Sequence, residues 1–200
     1  MKLFYTLLLW ILFILSLPLQ FFVAVAVFIS EGMPIIFAQQ RIGKNGKPFT
    51  IYKFRTMQQN AELQKKYLLR KNESTGPVFK IHDDPRFMGL GKFLSHTGLD
   101  ELPQLWNVVL GEMALIGPRP LPISEEKKLS AWMKERETVL PGIISPAILT
   151  GKYHKSFEGW MKNDITYIRT KTFFSDTVLL LQFIPFIFSL LIKEVKRYLS

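Results

Sequence analysis

Residues 3–30 carry no charged side chain. As one straight helix the stretch would measure roughly 42 Å, at about 1.5 Å per residue. The hydrocarbon core of a bilayer is only about 30 Å thick. Pro18 lies near the middle. It cannot donate to the carbonyl of Ile14, and its ring crowds that turn. Two arrangements meet these constraints: a tilted, kinked span, or a helix-break-helix that enters and leaves on one face. Ser16 and nearby backbone can help satisfy groups freed at a break. Lys2 precedes the stretch; Arg41, Lys44, Lys47, Lys53 and Arg55 follow it. The positive-inside rule puts the later group in the cytoplasm, and a re-entrant hairpin puts both groups there. A cleaved signal peptide is the competing reading, with Lys2 as its basic end and Ala24, Val25 and Ala26 as its small-residue site. The length of the apolar run and the basic chain after it argue against cleavage.

The 200 residues suffice for one small domain plus membrane elements. Hydrophobic residues make up 48%, yet the net charge is +10, so the apolar and basic residues must be segregated along the chain. That charge calls for an anionic partner: a phosphate-bearing substrate, acidic lipid or nucleic acid. A nucleic-acid role lacks the interleaved aromatic and basic residues of known readers. There is no cysteine, and His82, His96 and His154 are the only histidines. A Cys/His zinc site is therefore disfavoured, and Mg²⁺ on carboxylates is the expected metal.

Pattern and breakers predict the elements. Residues 35–37 and 48–54 read as strands joined through RIGKNGK (residues 41–47), whose Asn45 and Gly46 mark a hairpin. Residues 57–71 read as an amphipathic helix with Leu63, Tyr67 and Leu68 on one side. DDPR (residues 83–86) is a turn, followed by a short helix through Phe93 and Leu94. A further helix over 102–110 stops at Gly111. Three prolines force 116–122 into a stiff extended loop. Residues 124–137 read as a charged helix, 141–152 as a loop, and 155–170 as an amphipathic helix. The apolar segment 178–192, interrupted by Pro185, is short for a span and suits the membrane interface or packing on the first hairpin. The fold class expected is α/β, more closely a helix-rich α+β: a re-entrant N-terminal hairpin (1–33), a domain of 34–175 with a small β-hairpin and amphipathic interfacial helices, and a membrane-associated segment (176–200).

Asp100 and Glu101 are adjacent carboxylates at the mouth of a helix. On those residues alone they read as the acidic first turn of a helix capped by Thr97, with Asp100 as reciprocal partner. Their surroundings favour chemistry. Phosphoryl transfer needs positive charge around the moving group and a carboxylate-held metal. Lys53 and Arg55 end the predicted hairpin. Arg119 sits between Pro118 and Pro120, where a stiff loop would hold a guanidinium ready to grip phosphate.

The motifs QRIGKNGKPFTIYKFRTM (residues 40–57), DDPR, LDELPQLWNV (99–108), GEMALIGPRP (111–120), PGI (141–143) and NDITYI (163–168) follow one another in this order. Together they resemble the bacterial sugar transferase family, the monotopic polyprenyl-phosphate phosphoglycosyltransferases, in their minimal form. The resemblance implies a membrane enzyme on the cytoplasmic face of the bacterial inner membrane. It would move a sugar-1-phosphate from a UDP-sugar to polyprenyl (undecaprenyl) phosphate, release UMP and initiate a surface glycan. It implies Asp100 as nucleophile and an aspartyl-phosphosugar intermediate, with Asp100 and Glu101 holding Mg²⁺. Lys53 and Arg119 would bind substrate phosphate, with Arg55, Asn107 and Pro118 in support. It also implies membrane lipids as partners, no nucleic acid, a re-entrant first hairpin, and a chain compatible with a homodimer. This sequence departs from the family pattern at Ser95 and Lys152, where arginine is usual, and at Gly98, where serine is usual; protonated His96 is the candidate to supply part of the charge missing at Ser95. The rival functions are a UDP-sugar hydrolase using the same acidic pair, and a non-catalytic basic membrane-binding module.

Overall fold

The computed structural model describes residues 2–151 and 156–199; Lys152 and His154 lie outside them. The first helix, α1 (Lys2–Glu31), continues through Pro18, so the expected break into two helices does not form. Side chains brace the turn before the proline. Ser16 Oγ donates to the Phe13 carbonyl at 2.6 Å and accepts from Gln20 Nε2 at 2.8 Å, which is how apolar helices tolerate proline. Leu9, Val23 and Val27 are buried, and Phe13, Ser16 and Gln20 are among the half-buried positions. Their spacing is that of one helical face.

Strands β1 (Ile36–Ile42) and β2 (Pro48–Phe54) form the expected antiparallel ribbon, with Ile42 opposite Pro48 and Ile36 opposite Phe54. β1 is longer than the pattern predicted. Asn45 and Gly46 take positive φ, as the tight turn requires. After a short helix α2 (Ala61–Leu68) come α3 (Gly91–Thr97) and α4 (Gln104–Val109). β3 (Ala114–Ile116) pairs in parallel with β4 (Gly142–Ile144). The stretch expected as a loop over 141–152 therefore holds a strand, and also α6 (Pro146–Leu149), started by its proline. The charged helix expected over 124–137 is likewise corrected. Only α5 (Ile123–Glu126) forms, and the chain restarts at Ser130 as a 3₁₀ turn, Met133–Thr138. The Ser130 carbonyl accepts from both Met133 and Lys134 N–H, and serine favours such restarts over helix interiors. Helix α7 (Phe157–Thr170) is capped by Ser156, whose hydroxyl accepts from Gly159 N–H. Its Phe157, Trp160 and Met161 pack with Val78, Leu121, Leu129 and Ala147.

The last helix, α8 (Phe173–Leu199), also passes through its proline and is much longer than the apolar segment inside it. Leu179 and Phe183 pack on Ile116, Ile144 and Tyr167 near one end. Near the other, the Tyr198 ring meets Phe93 edge-on at 5.9 Å. Leu181, Ile184, Phe188, Ile192, Val195 and Leu199 form an exposed apolar stripe. Both α1 and α8 are long and apolar enough to cross a membrane. Such uncovered faces make this a membrane-associated protein.

Each helix, however, touches the domain near both ends. In α1, Leu9 packs with Phe49, Ile51, Val108 and Met113, while Val23 and Val27 pack with Phe54 and Leu94. A helix crossing the bilayer would carry one end about 30 Å away. The chain has no cysteine, so Thr6→Cys and Met33→Cys, made singly at exposed sites, report sidedness. Both should react with an impermeant maleimide from the same face of sealed vesicles. Reaction from opposite faces would mean that α1 spans.

Candidate active site

Period-two alternation sends Lys53 to the same face of β2 as Phe49 and Ile51. That face meets the turn between α3 and α4. Helix α3 ends at Gly98, whose φ of 74° is a left-handed conformation that favours glycine. Leu99–Glu101 then forms a 3₁₀ turn. Thr97 does not cap it. Its hydroxyl donates backwards, to Phe93 O at 2.8 Å and Leu94 O at 3.2 Å. The capping-box reading of Asp100 is thereby removed, and the acidic pair needs another explanation.

Asp100 is only 5% exposed. Lys53 Nζ lies 2.5 Å from Glu101 Oε1 and 3.7 Å from Asp100 Oδ2. Arg119 grips Glu101 with both guanidinium nitrogens, at 2.7 and 3.3 Å. The structure thus brings together Asp100, Glu101, Lys53 and Arg119 from three distant stretches. Burial pushes the Asp100 carboxyl above the ordinary aspartate range, against the pull of Lys53. Burial also pushes Glu101 upward, but Arg119 and Lys53 outweigh it and hold Glu101 below the usual carboxylate range.

The other expected site residues are committed elsewhere. Arg55 is buried and donates to the carbonyls of Glu31 and, at 2.9 Å, Gly32. It caps the negative end of α1, so the guanidinium expected to support phosphate binding here holds the end of that helix. Asn107 is fully buried and donates to Thr50 O and to Glu112 Oε2, both at 2.7 Å. It ties α4 to β2 and offers no amide N–H toward the acidic pair. The Pro118 carbonyl accepts from Gly142 N–H at 3.0 Å, so its part is loop geometry. His96 does not face the pair either: its Nδ1 is 3.3 Å from Glu194 and its Nε2 3.0 Å from the His82 carbonyl. DDPR closes on itself, with Arg86 bidentate on Asp84 at 2.9 and 2.7 Å.

Sequence reasoning missed Lys80. Burial and the positive charge of Arg119 push its ammonium down to about 8. The signal was a lysine directly after the apolar pair Val78 and Phe79. As for a metal, two adjacent carboxylates supply the hard oxygen donors that suit Mg²⁺.

A family model described as bacterial sugar transferase matches residues 1–189. Galactosyl transferase CpsE of Streptococcus agalactiae serotype III (strain NEM316) is 41% identical over 152 residues, covering 76% of this chain and 34% of that protein. Undecaprenyl-phosphate galactose phosphotransferase of Salmonella typhimurium LT2 is 33% identical over 154 residues, covering 75% and 32% respectively. The chain thus spans about a third of the length of these two relatives. The exopolysaccharide production protein ExoY of Sinorhizobium fredii is 33% identical over 175 residues, covering 84% of this chain and 76% of that protein.

The electrostatic arrangement predicts the behaviour of Lys53→Met. Removing the cation between a buried and a half-buried carboxylate should cost about 3 kcal/mol of stability near neutral pH. It also lifts Asp100 further, so the folded state holds a proton that the unfolded chain has released. Stability from such a raised carboxyl is present at low pH and lost as pH rises through the folded value. Denaturation in detergent should therefore show a smaller cost near pH 5 than near pH 8. An equal cost at both would mean that Asp100 does not titrate against Lys53.

Proposed function

The chain belongs to the bacterial sugar transferase family, and on that premise we propose that it transfers a sugar-1-phosphate from a UDP-sugar to polyprenyl phosphate, releasing UMP. The observation that carries this reading is a buried, proton-attracting aspartate beside two cations at the base of a membrane-associated domain. The names of relatives, among them an undecaprenyl-phosphate galactose phosphotransferase, support the acceptor class.

The chemistry runs in two displacements. An ionised Asp100 oxygen attacks the β-phosphorus of the donor; the bond to the bridging oxygen breaks and UMP leaves with the electron pair. The phosphosugar stays on Asp100 as a mixed anhydride. An oxygen of the lipid phosphate then attacks the same phosphorus, and the Asp100 carboxylate departs. Carboxylates are known to form such intermediates. Splitting the reaction removes the need for a soluble and a membrane-bound substrate to meet at once. Lys53, Arg119 and Lys80 would bind the diphosphate oxygens and stabilise charge as the phosphoryl group moves. Mg²⁺ held by Asp100 and Glu101 would offset repulsion between nucleophile and diphosphate. The apolar faces of α1 and α8 would hold the site at headgroup depth, on the cytoplasmic face of the inner membrane, with both ends of α1 on that face.

The test is a panel of UDP-sugars, beginning with UDP-galactose, given with polyprenyl phosphate and Mg²⁺. Wild type should release UMP and form lipid-linked sugar; Asp100→Asn should lose on the order of 10³-fold or more of the rate. Labelled donor alone should leave a phosphosugar on Asp100, found by peptide mapping. Release of UMP and free sugar phosphate without a lipid product would identify a hydrolase instead. With no UMP from any donor, the non-catalytic membrane module would stand.

A pH profile adds a second expectation. The value of kcat/KM should rise as Asp100 loses its proton, at a pH that moves down as Mg²⁺ is raised, because the ion favours the carboxylate. It should fall above about 8, as Lys80 loses its charge. Lys80→Arg should move the alkaline limb upward; an unmoved limb would exclude Lys80 as the group responsible.

A further inference from the structure

Arg119 sits in a segment whose own backbone can do little to fix it. Pro118, Pro120 and Pro122 have no N–H. Such a loop is stiff in φ, yet its carbonyls need donors from elsewhere, because a buried unpaired carbonyl is costly. Each of four consecutive carbonyls has one. Pro118 O accepts from Gly142 N–H at 3.0 Å, and Leu121 O from Ile42 N–H at 3.1 Å. Between them, Arg119 O accepts from the Arg136 guanidinium, and Pro120 O from Arg41 Nη1 at 3.1 Å. Two arginines thus hold the carbonyl of the residue that carries the phosphate-binding guanidinium and the carbonyl after it.

Arg136 is itself immobilised. It is 5% exposed and lies 3.0 Å from Asp164 Oδ2 and 3.6 Å from Glu126 Oε2. Its guanidinium covers the Trp160 ring at 5.6 Å. Asp164 is fully buried. One buried cation facing two buried carboxylates is a poor source of stability compared with apolar packing. It does, however, fix a planar fork in one orientation. Arg41 reaches the next carbonyl from β1, the strand paired with the one that carries Lys53. The glycines on the far side leave no slack, since a Cβ on Gly142 would lie 2.0 Å from Gly117 N.

We infer that Arg136 and Arg41 are positioning residues, holding the main chain at Arg119 and just after it so that its guanidinium meets the transferring phosphate in register. This rests on the transfer reading above. A misplacement near 1 Å costs on the order of 100-fold in rate, so the effect is large enough to measure.

The experiment uses the full chain in detergent, with Arg41→Lys and Arg136→Lys made separately in wild type and in an Arg119→Gln background. Lysine keeps the charge but not the fork. Each single variant should lower kcat/KM for the donor by roughly tenfold to 100-fold. In the Arg119→Gln background the same changes should cost less than about twofold, because the group they position is gone. Hydrogen exchange at Arg119 and Leu121, the N–H groups within 118–122, should speed up in both variants while the thermal midpoint of Arg41→Lys stays put. Should Arg136→Lys fail to fold, Arg41→Lys, outside the buried ion cluster, carries the test. Losses that simply multiply with that of Arg119→Gln, or exchange that does not change, would overturn the inference. If wild type turns over no donor, the transfer reading fails, and the exchange measurement still decides whether these arginines fix the loop.

Discussion

Two neighbouring carboxylates are taken almost out of water at the turn before α4, and the rest of the molecule is arranged to make that tolerable. At an effective dielectric near 20, a charge pair about 4 Å apart interacts by roughly 4 kcal/mol, so one cation cannot neutralise both acids. A second must come from elsewhere in the chain. Lys53 arrives on the inward row of β2, and Arg119 on a loop that prolines stiffen and two other arginines hold. Neither cation is near the pair in sequence. The ribbon, the parallel pair of β3 and β4, and the glycine contact between Gly117 and Gly142 are what deliver them.

The same strand connects the site to the membrane. Lys53 faces the acidic pair, and Arg55, two residues on, holds the last carbonyls of α1. The pitch of the membrane helix and the position of the site cation are therefore set by one short piece of backbone. The aromatic contact of Trp106 on α4 with Trp10 and Phe13 of α1, with ring centroids 6.1 and 5.5 Å apart, adds a second tie just beyond the pair. Partly exposed tryptophans suit the headgroup zone. Depth in the bilayer and geometry at Asp100 are one structural property here.

Much of this was legible from residue order. The Asn45–Gly46 turn, the acidic pair, Lys53 and Arg119 all carry local signals, because turn chemistry and charge type declare themselves within a few residues. What was not legible depended on distant partners. Arg55 and Lys53 look alike on paper; only the end of α1 separates an anchor from a site cation. Asn107 reads as a polar group near an active site, yet Thr50 and Glu112 claim it. The helix expected over 124–137 had the right composition, but the chain restarts at Ser130. Pro18 and Pro185 read as breaks because an isolated helix would break there. Long helices braced by neighbours and by side chains such as Ser16 pass through them.

The division between the two carboxylates follows from the same geometry. Glu101 receives both cations at short range and is held as an anion. Asp100 receives one, farther away, inside a drier pocket, and its proton affinity rises. When environments push two neighbouring acids apart in this way, they separate the roles as well. The group whose anion is least stabilised has the most to gain by forming a bond to phosphorus. The other keeps its charge and organises the cations. A diphosphate approaching the site would compete with Glu101 for Lys53 and Arg119. As those cations turned to phosphate, the pull of Lys53 on Asp100 would weaken while a reacting phosphorus stood in front of it. In the proposed transfer, the resting ion pairs would thus occupy the cations until a diphosphate arrived to take them.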